Sequence, residues 1–178
     1  MGTFIITERG ELRLIIWAAK ALSKDKTRPA LNGFGISTIE GEKVMCATDG
    51  GRAHWVPCPD ALKELPDGSC LSKTALNRTT CVLTLEDRQY PNISQVVPSR
   101  EAFKVYKKSM GHPQDSFIIA AHHGDTGRLL RTEQVSDLFT DKATLLSFGT
   151  PKENEAGPCR FRFSADRQAL LMPAKKSR

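Results

Sequence analysis

No apolar run in this sequence approaches the roughly 18 residues that a membrane-spanning helix requires. Hydrophobic residues make up 39% and charged residues 26% of the chain, the balance of a soluble globular protein rather than a disordered one. Residues 1–13 carry no basic stretch ahead of an apolar core, so they do not read as a secretory signal. Gly2 is not followed by Ser or Thr where a myristoylation signal needs one. The five cysteines (Cys46, Cys58, Cys70, Cys81 and Cys159) are an odd number with no CxxC pair among them. That argues against a zinc site and a disulfide framework, and for buried thiols in a reducing compartment. A cytoplasmic protein is expected. Phosphate-binding loops of the GxxxxGK or GxGxxG type are absent, and so is a GxSxG nucleophile elbow. His122-His123-Gly124-Asp125 has no second cluster at ligand spacing to complete a metal site. No active site, metal or cofactor is expected, and the protein is read as a non-enzyme.

What is present is basic. The formal net charge is +6 with a pI near 9.2. Residues 1–98 hold 12 Lys and Arg against 11 Asp and Glu, whereas 99–178 hold 14 against 9. A modest positive excess suits a nucleic-acid partner without proving one.

Leu12, Ile15, Ile16, Ala19 and Leu22 recur at three- and four-residue steps, which predicts a helix over 10–23. Arg13, Trp17, Lys20 and Lys24 follow the same steps on another face. Thr27-Arg28-Pro29 ends it. Phe34–Ile39 and Val44–Ala47 flank Glu40-Gly41-Glu42 and read as a hairpin. Thr48-Asp49-Gly50-Gly51 breaks regularity before an extended His54-Trp55-Val56. A short helix is expected at 73–78 and a strand at 81–85. Residues 90–98, bounded by prolines, read as an extended connector. After it, Ser99 is a plausible helix cap. Ala102, Phe103, Tyr106 and Met110 form an apolar stripe beside a basic one of Arg100, Lys104, Lys107 and Lys108. Strands are expected at 117–121, 145–148, 160–164 and 169–172, with a helix at 132–139. The pattern of helix, strands, short helix, strands occurs twice, which implies two α+β units in tandem, 1–98 and 99–178.

Three segments carry a resemblance, in order along the chain. Arg28-Pro29-Ala30-Leu31-Asn32-Gly33, followed by Ala47-Thr48-Asp49-Gly50-Gly51-Arg52-Ala53, resembles an R-x-x-L-x-G segment paired with an A-T-D-G-H-R-L-A turn. Tyr90-Pro91-Asn92-Ile93-Ser94-Gln95-Val96-Val97-Pro98 is similar to an aromatic-Pro-Asp-Tyr-x-x-Val-(Ile/Leu)-Pro linker. Leu170-Leu171-Met172-Pro173 is similar to a terminal Val-Met-Pro-x-Arg-Leu. Together they resemble the bacterial DNA polymerase III β sliding clamp family, over the last two of its three domains. Gly51 stands where the family has His and Ala53 where it has Leu, and the chain runs on beyond the terminal motif as Ala174-Lys175-Lys176-Ser177-Arg178.

The resemblance implies two tandem clamp-like domains, each with helices on one face of an antiparallel sheet. Residues 1–98 would be the counterpart of the middle domain and 99–178 of the last. It implies a processivity factor that encircles duplex DNA without reading sequence. Cations on the helices would face phosphates, namely Arg13, Lys20, Lys24, Arg100, Lys104, Lys107 and Lys108, with Lys73, Arg78, Arg128 and Arg131 in support. A solvated helix face is the plain alternative for such stripes. Six similar domains around the hole would need three of these chains. A groove for short peptides of DNA polymerase and clamp loader would comprise Leu31, Thr48, Gly50, Gly51, Arg52, Ala53, Pro91, Val96, Leu170, Met172 and Pro173. The smaller Gly51 and Ala53 should widen it. The competing reading is a clamp-derived interaction module that keeps the groove, forms no ring and competes for clamp partners.

Overall fold

In a computed structural model, described over residues 2–97, 103–110, 132–138, 145–151, 158–164 and 166–172, the chain divides into two compact units, Met1–Val97 and Pro98–Arg178. The fold is α+β, with antiparallel strands and two α-helices among the described residues. The expected strand at 117–121, His122–Asp125, Arg128, Arg131, Ser99, Arg100 and Pro173 lie outside the described residues.

Unit 1 contains β1 (Thr3–Ile6), α1 (Arg9–Ala18), β2 (Phe34–Ile39), β3 (Glu42–Thr48), β4 (Arg52–Pro57), β5 (Ser69–Leu76) and β6 (Cys81–Gln89). Its strands run in the order β1-β6-β5-β2-β3-β4. The helix starts where Glu8 turns its carboxylate onto the Glu11 amide at 2.6 Å. The Gly10 and Glu11 amides hold the Glu8 carboxyl below its ordinary range, as a charge-assisted cap should. It is shorter than its periodicity predicts. Residues 19–21 tighten into a 3₁₀ turn, and the Ser23 amide then turns away to the Leu31 carbonyl at 2.9 Å. Leu12 and Ile15 of the predicted stripe are buried and Ile16, Ala19 and Leu22 half-buried, while Ala18, outside the stripe, is buried as well.

Trp17 corrects the reading of the other face. It is fully buried, and its indole stacks on the His54 ring of β4 with centroids 4.5 Å apart. A large apolar ring gains far more in the core than in a row of solvated cations.

The predicted β2–β3 hairpin forms. Glu40 and Gly41 both take positive φ, 53° and 83°, the two-residue turn whose twist matches the strands it joins. Register partners share a face, so Ile36, Met45 and Val56 lie on one side of the sheet and Gly35, Cys46 and Trp55 on the other. His54, pairing with Ala47, shares the first face, so that is where α1 packs. The expected helix at 73–78 is not there. Lys73 belongs to β5, which pairs with β6, and residues 77–80 form a turn in which the Asn77 carboxamide accepts from the Thr79 and Thr80 amides, both at 2.8 Å. That local bonding favours a turn over a helix.

Unit 2 holds β7 (Phe103–Met110), α2 (Thr132–Leu138), β8 (Leu145–Pro151), β9 (Cys159–Phe163) and β10 (Gln168–Leu171), with strands in the order β10-β9-β8-β7. The helix and the three later strands stand where the sequence predicts them. The helix expected after Ser99 is overturned. Residues 103–110 pair with β8 from Phe103↔Pro151 to Met110↔Leu145, so Lys104, Lys107 and Lys108 lie on a strand and form no helical stripe.

Candidate functional site

The geometry of unit 1 centres on the connector that leaves β6. Tyr90 is buried against Gly35 of β2. A Cβ on Gly35 would lie 2.0 Å from the Tyr90 ring, so only glycine admits it. Cys46 and Cys70 flank Gly35 in the same cross-strand row. The Thr48 amide donates to the Tyr90 hydroxyl at 3.0 Å, and the Tyr90 amide donates to the Gly68 carbonyl at 2.8 Å. Burial pushes the Tyr90 phenol above its ordinary range. The end of β3 and the start of the connector are thereby joined by one side chain.

The turn after β3 is built from its own polar atoms. Asp49 Oδ1 accepts from the Gly51 and Arg52 amides at 2.9 and 3.0 Å, and Arg52 Nε donates to Asp49 Oδ2 at 3.0 Å. The Thr48 hydroxyl donates to the Arg52 carbonyl and accepts from the Gly50 amide. Gly50 has φ +88°, and a Cβ there would meet Arg28 Nη1 at 3.3 Å. The positive φ asks for glycine at this position.

Next to the turn lies an open pocket of about 560 Å³ lined by Arg28, Pro29, Ala30, Leu31, Asp87, Arg88 and Pro91. Pro29–Asn32 form a 3₁₀ turn with proline at its start, which places Leu31 inward. The structure thus brings Leu31 and Pro91, members of two separate motifs, into one depression with an apolar floor. Thr48, Gly50, Gly51, Arg52 and Ala53 stand beside it on the β3–β4 turn, reached through Arg28, and line none of it. Val96, 55% exposed, follows the 3₁₀ turn Ile93–Gln95, away from the lining. In unit 2, Leu170 is buried in β10, and Met172, just after that strand, is 42% exposed.

Asp87 and Arg88 were missed by motif reading, and Arg28, which opens the first motif, was not singled out as a groove residue. Asp87 and Arg88 close β6 immediately ahead of the connector, a position that no pattern marks. Of the cations proposed for DNA, Arg13 is exposed on α1 and Lys24 is exposed beyond it, with Lys20 half-buried in the 3₁₀ turn. Arg9, one turn before Arg13 and also exposed, is a further cation of α1. Lys73 and Arg78 are exposed at the β5–β6 end. Among the described residues no cluster of three or more His, Cys, Asp or Glu could hold a metal, and no helix is long and apolar enough to cross a membrane.

No family model and no curated protein sequence matches the chain. Solved structures do. The β sliding clamp of Caulobacter crescentus, with polyethylene glycol bound, matches with a TM-score of 0.63 at 16% identity, over 98% of this chain and 65% of that one. The DNA polymerase III β sliding clamp of Bartonella birtlesii, bound to griselimycin, matches at 0.60 and 14% identity over 97% and 66%. The DNA polymerase III β subunit of Thermotoga maritima matches at 0.59 and 12% over 98% and 66%. The chain spans about 65% of the length of the first of these. It therefore has the fold of the DNA polymerase III β sliding clamps over nearly its whole length.

Proposed function

We propose that this chain is a sliding-clamp-like processivity factor for a DNA polymerase, without catalysis of its own, working as a homotrimer around duplex DNA. In this reading unit 1 is the counterpart of the clamp's middle domain and unit 2 of its last. The observation that carries the proposal is the joining of two motifs in unit 1. Leu31 and Pro91 line one apolar pocket, and Tyr90 ties the connector to Thr48 at the edge of the glycine turn. An apolar slot beside exposed backbone and an arginine suits capture of a short extended peptide. Thr48, Gly50, Gly51, Arg52, Ala53 and Val96 are proposed to border it. Leu170, Met172 and Pro173 enter the proposal on their motif alone. The DNA-facing cations are Arg13, Lys20 and Lys24 of unit 1, together with Arg9. Lys104, Lys107 and Lys108 remain in the proposal as charge on a strand of unit 2 rather than as a helix face, and Arg100 enters it on the sequence alone.

A second reading, the interaction module that binds or competes for clamp partners without forming a ring, is favoured by one specific observation. The basic helix expected to open unit 2 is a strand, which removes half of the helical stripe on which DNA encirclement was argued. Native mass by light scattering over a concentration series separates the two. A mass near three chains supports the ring, whereas a persistent monomer that still binds polymerase or loader peptides supports the module.

A further inference from the structure

We draw no further inference here: the strongest candidate, the cavity of about 240 Å³ beside α1 whose lining includes Cys58, Glu11, Lys43, Asp60 and Lys63, carries nothing, because Asp60 and Lys63 are paired with each other at 2.6 Å and a lone cysteine in the lining points to no ligand.

Discussion

Tyr90 has to be held at three points at once to do what the geometry gives it. Its ring needs the missing Cβ of Gly35, its hydroxyl needs the Thr48 amide, and its backbone needs Gly68. Gly35→Ala is therefore expected to destabilise unit 1 by about 1–3 kcal/mol through overpacking, read as a lower urea midpoint at unchanged slope. Tyr90→Phe keeps the ring and orphans a buried amide, at about 1–3 kcal/mol. The gentler change should also loosen the β3–β4 turn, visible as faster amide exchange at Thr48. The buried thiols of unit 1 make a prediction about pH. Burial pushes Cys46 up to about 12 and Cys58 and Cys81 up to about 11, from 9.0. Folded values above unfolded ones mean that the folded state holds its protons longer. Stability is then full below pH 9 and falls as pH rises from 9 toward 11 and 12. Each thiol ionised only in the unfolded chain removes about 1.4 kcal/mol per pH unit. Tyr90, raised for the same reason, steepens the fall above about pH 10. Urea midpoints that stay flat between pH 8.5 and 10.5 would contradict this.

At the level of elements, what the sequence made legible followed the physics that acts locally. The β2–β3 hairpin is written in Glu40-Gly41, since few residues other than glycine tolerate the positive φ that its second turn position demands. Helix α1 is written in the stripe that Leu12 and Ile15 begin. Its end was not, because the Ser23–Leu31 hydrogen bond that stops it is closed by a residue eight positions away. The basic helix after Ser99 was misread for a definable reason. Phe103, Tyr106 and Met110 fall at three- and four-residue steps, yet Phe103-Lys104-Val105 also alternates. Periodicity alone does not separate the two, and pairing with β8 decided for the strand. The pocket was half legible. Leu31 and Pro91 came from motifs, whereas Asp87 and Arg88 reach it only because β6 ends beside the 3₁₀ turn at Pro29–Asn32. Trp17, misplaced among cations, offers the test at this scale. Trp17→Ala should cost about 3–5 kcal/mol, while Arg13→Ala on the same helix should stay within about 0.5 kcal/mol. Equal, small effects at both positions would mean that Trp17 does not anchor α1.

For the whole molecule the question is whether the chain closes on copies of itself, and the strand edges bear on it. β1 stands at one end of unit 1's strand order and pairs only with β6 among the described strands, and β7 stands at one end of unit 2's order. The sequence of β1, Thr3-Phe4-Ile5-Ile6, has no charge, no proline and no bulge, the devices by which exposed edges avoid pairing. Ile5 is 64% exposed. An edge left so open is the kind that another strand covers. In a cyclic trimer the cover would be a strand of the neighbouring chain, added head to tail. Ile5→Lys places a charge on that edge while disturbing no buried contact. It should leave the melting of the isolated chain within about 0.5 kcal/mol, drop the native mass from three chains to one, and abolish retention on circular DNA at moderate salt. Arg9→Glu with Arg13→Glu should instead preserve the mass and weaken retention, with a shallower dependence on salt, since those cations would act on phosphate charge alone. The two variants thus dissociate ring closure from DNA contact. If Ile5→Lys keeps the mass of three chains, the β1 edge is not the seam of the ring. If the unmodified chain is monomeric throughout, no seam is needed and its pocket acts alone.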